Sequence, residues 1–98
     1  MNNSSRDQEN ISVELPDGTI YRAEGRNGWA FRKLIQAGRR GCTPIDTPGP
    51  RWSHYVWVLR RDGIDIETHT ERHGGPFPGN HARYILKTPL RIVESRAA

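Results

Sequence analysis

Only one cysteine, Cys42, occurs in the 98 residues, so no intramolecular disulfide can form, and a lone thiol of this kind fits a reducing compartment. Long apolar runs are also missing, since no stretch approaches the roughly 20 residues that span a bilayer. The polar start, Met1 to Asn10, has no hydrophobic region of the kind a signal peptide needs. The expected location is therefore cytoplasmic, with no membrane association. Metal-binding spacings are lacking too. His54, His69, His73 and His81 with Cys42 form neither a C-x-x-C nor an H-E-x-x-H pattern, and His69 and His73 lie four apart on a segment that reads as strand, where they need not converge on one ion. Asp65, Glu67 and Glu71 alternate along that strand without a nucleophile or base beside them, so they read as solvated charges. Gly74-Gly75 is followed by prolines and opens no helix, which excludes a phosphate-binding loop. No cofactor, no metal, no small-molecule substrate and no enzymatic activity are expected.

What the chain does have is enough apolar material for one lean core, with hydrophobic residues at 34%, including three Trp, three Tyr and two Phe. The net charge is +4 and the pI near 9.8, and the excess is unevenly placed. Residues 1–25 hold two basic and five acidic side chains, residues 26–61 eight basic and one acidic, and residues 62–98 five of each. A basic protein so arranged suggests a polyanionic partner for its middle segment.

Periodicity divides the chain into elements. Residues 1–10 show none and read as a disordered tail. Ile11, Val13 and Leu15 alternate with polar residues, Asp17-Gly18 supplies a hairpin turn, and residues 19–23 return as strand. From Asn27, which is placed to cap a helix, Ala30, Phe31, Leu34 and Ile35 form one apolar stripe that Gly38 ends. Thr43-Pro44-Ile45-Asp46 carries the signals of a second helix start, and Pro48-Gly49-Pro50 keeps that helix short. Trp52, Tyr55, Val56 and Leu59 then recur at i, i+3, i+4 and i+7, giving a third helix over about 50–61 that Asp62-Gly63 closes. Residues 64–70 alternate as a strand, His73 to Asn80 is turn-rich, and residues 82–87 return. Residues 90–93 add a short edge strand, leaving 94–98 as a tail and residues 11–93 as a single domain.

The order is β-hairpin, helix, short helix, helix, β-hairpin, an α+β chain. Arg51 to Thr68, with Leu59-Arg60-Arg61-Asp62-Gly63 leading into Ile66-Glu67-Thr68, resembles the third helix and first wing strand of small bacterial and phage winged helix-turn-helix domains. His81 to Leu86 is similar to their second wing strand. The resemblance covers roughly residues 28–87 and implies a DNA-binding winged helix in a transcription regulator or phage-derived accessory protein. Its wing would run over about 64–87, and its partner would be double-stranded DNA. The tip here is unusually long and proline-rich, and Tyr55 stands where these relatives often carry a basic residue.

A helix that enters a major groove must offer donors on its outward side. With Trp52, Val56 and Leu59 turned inward, Arg51, His54, Tyr55, Val58 and Arg61 are left for the other faces, and Arg60 lies at the boundary. Arg51 is the expected base-edge contact. Arg60 and Arg61 are either phosphate contacts or solvated charges at a helix C-terminus. Arg72, His73, His81 and Arg83 lie near the wing tip or on one wing strand, where backbone or minor-groove contact is expected, the alternative being a loop without a partner. Arg32, Lys33, Arg39 and Arg40 rank lower. Trp57 falls off the apolar stripe and is expected to pack under the N-terminal hairpin rather than serve in stacking or dimerisation. Phe77 is either a wedge between bases or a surface-packed ring. A protein-interaction module on the same fold, using Trp57 and the wing tip, is the alternative function. A homodimer would have to use the N-terminal hairpin, the first helix or the C-terminal strand.

Overall fold

The computed structural model describes residues 9–49 and 51–96. Strands β1 (Asn10–Glu14) and β2 (Ile20–Glu24) pair antiparallel with Val13 opposite Tyr21. The expected Asp17-Gly18 turn joins them, with Gly18 at φ 88° and Asp17 Oδ1 accepting from the Thr19 amide at 2.9 Å. That bond, first among its causes, holds the Asp17 carboxyl below its ordinary value. Helix α1 (Gly25–Ala37) follows and ends at Gly38 as the sequence indicates. It begins two residues before Asn27, and the cap position is Glu24, which makes no side-chain capping bond. Gly25 instead donates its amide to the Glu9 carbonyl at 2.8 Å, so backbone takes over the role expected of the Asn27 side chain.

The short second helix is absent. Residues 38–40 form a 3-10 turn, and Thr43–Thr47 is a single turn closed by Thr47 N to Thr43 O at 2.9 Å. The capping chemistry read from Thr43 and Asp46 is present: Thr43 Oγ1 accepts from the Asp46 amide, and Asp46 Oδ1 accepts from the Thr43 amide. Pro48 and Gly49 follow at once, so the box closes one turn and nothing propagates beyond it. The expected third helix is α2 (Trp52–Arg61). Among the described residues two α-helices therefore stand where three helices, the second of them short, were expected.

The wing is β3 (Ile66–His73) and β4 (Gly79–Leu86), an antiparallel pair in continuous register from Ile66 opposite Leu86 to His73 opposite Gly79. The tip is shorter than expected because strand pairing continues through Arg72 and Asn80. A single bridge, Cys42 with Tyr84, adds a vestigial third strand to the wing. Gly41, at φ 72°, makes this approach possible, since a Cβ there would fall 2.5 Å from the Tyr84 carbonyl oxygen. Strand β5 (Arg91–Arg96) is the expected edge strand, longer than read, and it joins the N-terminal sheet in the order β2-β1-β5. Residues 94–96, read as tail, thus belong to β5, and residues 97–98 lie outside the described residues. At the N-terminal end the fold takes in Glu9 and Asn10, placed in the tail by their polarity. The rest of that tail lies outside the described residues.

One core joins these parts. Ile11 and Val13 of β1 meet Phe31 and Leu34 of α1, and Trp29, Trp52, Tyr55 and Tyr84 form an aromatic cluster beneath α2 and the wing. Trp52 stacks on Tyr84 with centroids 6.2 Å apart and 22° between planes, and lies 5.4 Å from Trp29. This cluster fixes the start of α2 to the base of the wing. Tyr21 donates its hydroxyl to Asp62 Oδ2 at 2.7 Å, tying β2 to the far end of α2. No helix among the described residues is long and apolar enough to cross a membrane.

Candidate nucleic-acid interface

Helix α2 buries Trp52, Tyr55, Val56, Val58 and Leu59. Its outward side presents Ser53, His54, Trp57, Arg60 and Arg61, with Arg51 exposed just ahead. Tyr55 is withdrawn from the set expected to face a groove. It is 4% exposed, with its ring edge-on to Trp29 and Trp52 at 6.5 Å each, because the apolar stripe to which its spacing assigns it claims it as core. Val58 is buried likewise.

Arg60 is accessible, but its guanidinium is engaged. It donates to the Ile66 carbonyl from Nε at 3.1 Å and Nη2 at 2.6 Å, and to Thr68 Oγ1 at 2.7 Å, so it braces α2 against β3. Arg61 donates to Asp62 at 3.2 Å and lies 5.5 Å from the Trp57 ring centroid. Trp57 does not pack under the N-terminal hairpin: it is 58% exposed. His54 lies nearly parallel to it, 20° between planes and 6.3 Å between centroids. His54, Trp57 and Arg61 follow one another at i, i+3 and i+7, forming a ladder along the outward side.

On the wing, Arg83, His81 and His73 are joined in a relay. Arg83 donates to both Glu71 oxygens, at 2.5 and 3.2 Å, and to the Arg40 carbonyl at 2.8 Å, clamping the wing to the turn after α1. The Arg83 guanidinium beside it, ahead of all other causes, holds the Glu71 carboxyl below its ordinary value. An ionised Glu71 makes His81 Nε2, 3.1 Å away, the donor. In the neutral tautomer that this contact selects, His81 Nδ1 is the acceptor and His73 Nδ1, at 3.0 Å, the donor. Arg83, half-buried and fully bonded, is structural here, whereas Arg72 is exposed and has no partner among the described residues. Arg72, His73, Gly74, Pro78, Gly79 and Asn80 line an open cleft at the tip, and Phe77 is 86% exposed, so its ring does not pack on the surface.

Arg32 also leaves the candidate set. Its side chain is buried against Glu9 at 3.2 Å, the Asn10 carbonyl at 2.9 Å and Ser95 Oγ, where it holds α1 to both β1 and β5. In exchange the structure brings in Arg26, which the sequence reading passed over. Arg26, Asn27, Arg51, His54 and Tyr55 line an open cleft of about 460 Å³ between the first turns of α1 and α2. Arg51 is the one non-glycine described residue at positive φ, 66°. The available signal was that Arg26 opens the basic segment 26–61 and directly precedes the expected cap, Asn27. Among the described residues no group of three His, Cys, Asp or Glu side chains is placed to hold a metal ion.

No curated protein and no solved structure matches the chain. A family model described as a winged helix domain matches residues 20–96, from β2 through β5. That span includes α1, α2, the paired wing strands and the Cys42–Tyr84 bridge, and the chain belongs to the winged helix domain family.

Proposed function

We propose that this chain is a non-enzymatic binder of double-stranded DNA, acting through the outward side of α2 and the β3–β4 wing, in a transcription regulator or phage-derived accessory protein. Winged helix domains typically bind nucleic acid. The observation that carries the reading here is the survival of unpaired cations at both ends of the surface. Arg32, Arg60 and Arg83 on the adjoining elements are engaged by protein groups, whereas Arg51 at the head of α2 and Arg72 near the wing tip, like Arg26, Arg39 and Arg96, are exposed and free of protein partners among the described residues. Such groups gain counterion-release free energy on meeting phosphates without first breaking an internal ion pair. The roles within the surface differ. Arg51 and Arg72 supply charge, His54 and Trp57 face the bases, and Arg60, Arg83, His81 and His73 hold the helix and wing in place.

Titration of a random-sequence duplex at about 50 and about 200 mM salt tests this. Affinity falls steeply with salt, and Arg72→Ala weakens binding to all sequences alike while lowering the salt slope by about 1. Absence of binding by wild type at the lower salt overturns the reading. A second reading, docking of a protein partner, is favoured by the exposure of Trp57 and Phe77. It predicts a partner that wild type captures and that both Trp57→Ala and Phe77→Ala lose.

A further inference from the structure

We infer that the cleft between α1 and α2 is a phosphate site, in which Arg26 and Arg51 together hold one phosphate oxyanion, supplied by the backbone of the duplex. The inference rests on the DNA reading above and adds to it a contact made by α1. Three observations carry it. The cleft is lined by two arginines, Arg26 in the first turn of α1 and Arg51 immediately ahead of α2, together with Asn27, His54 and Tyr55. No carboxylate lines it, and neither arginine has a partner among the described residues. The cleft beside the Thr43 turn also holds two cations, Lys33 and Arg40, but Asp46 shares it, and the cleft at the wing tip holds Arg72 alone.

Two like charges facing one open cleft repel unless an anion lies between them, and a phosphate, with several acceptor oxygens, accepts from two guanidinium forks at once. The cleft is open, so a polynucleotide backbone can pass through it. His54 belongs both to this cleft and to the ladder with Trp57, so a phosphate held here places the adjoining nucleotides along the outward side of α2. Arg51, expected from its position to read a base edge, is thereby assigned to the backbone together with Arg26.

The test compares wild type, Arg26→Gln, Arg51→Gln and the double variant for the salt dependence of binding to a random-sequence duplex. The unliganded proteins are also titrated with inorganic phosphate, followed by the NMR shifts of the arginine Nε–H groups. One phosphate contributes about 0.9 to the slope of log affinity against log salt. If the two arginines share it, the double variant lowers the slope by about 1, each single variant lowers it by less, and Arg26→Lys keeps most of it. A double variant with the wild-type slope overturns the proposal. So does one whose slope falls by about 2, the mark of two separate phosphates. Wild type that fails to bind duplex yet shows saturable phosphate shifts, lost in the double variant, would retain the site with free phosphate as its ligand while the DNA reading fails. Absence of both responses overturns the two together.

Discussion

Arginine side chains fall into two classes in this molecule, those engaged by other protein groups and those without such partners among the described residues, and a sequence does not distinguish them. Arg32, Arg60 and Arg83 look as basic as Arg26, Arg51 and Arg72, but their partners are Glu9, the Ile66 carbonyl and Glu71 with the Arg40 carbonyl. Three of these four contacts are made across long stretches of chain, so composition alone shows only that a positive charge exists. The two classes give opposite mutant behaviour. Arg32→Met leaves Glu9 buried without its counter-charge, and urea unfolding should show a loss of about 3–5 kcal/mol. Arg60→Ala is milder: its contacts are partly exposed, so about 1 kcal/mol of stability is lost while the salt slope of DNA binding stays at the wild-type value. Arg51→Gly should show the reverse. Relief of the left-handed backbone offsets the added chain entropy, so stability stays within about 1 kcal/mol of wild type while DNA affinity falls.

Among the elements, those defined by periodicity were legible. The Ile11, Val13 alternation, the α1 stripe, the Trp52–Leu59 spacing and the Asp17-Gly18 and Asp62-Gly63 turns all appear where the residues indicate. The missing second helix was not legible, because Thr43 and Asp46 form the same reciprocal bonds around one turn as at the head of a long helix. The exposure of Trp57 was also hidden, since its companions His54 and Arg61 lie on its own helix and nothing from the N-terminal hairpin covers it. An exposed indole on a helix facing a major groove suits apolar contact with the thymine methyl group. Trp57→Ala should therefore abolish any preference for an alternating A·T duplex over its A·U counterpart, a preference that wild type should show. The wing carries its own test in acid. Glu71 is held below its ordinary 4.5 chiefly by Arg83, so the clamp contributes stability that is present above that value and lost as pH falls through the lower folded-state value. Protection factors of the β3 and β4 amides, corrected for intrinsic exchange, should fall over that acid range in wild type, and Glu71→Gln should flatten the dependence.

At the scale of the whole molecule, the two sheets divide the labour. The N-terminal sheet β2-β1-β5 backs α1 through Ile11, Val13 and the Arg32 contacts, and has no part in the proposed DNA surface. The wing is bound to α2 at both ends of the helix, by Trp52 on Tyr84 and by Arg60 on Ile66, so helix and wing are held as one unit, and the proposed duplex contact requires no rearrangement between them. Chemical-shift mapping of the labelled protein with a random-sequence duplex tests this division most directly. The account predicts shifts concentrated at Arg26, Arg51, His54, the Trp57 indole and Arg72, with β1 and β5 unchanged. Shifts centred on the β2-β1-β5 sheet, or none at low salt, would contradict it.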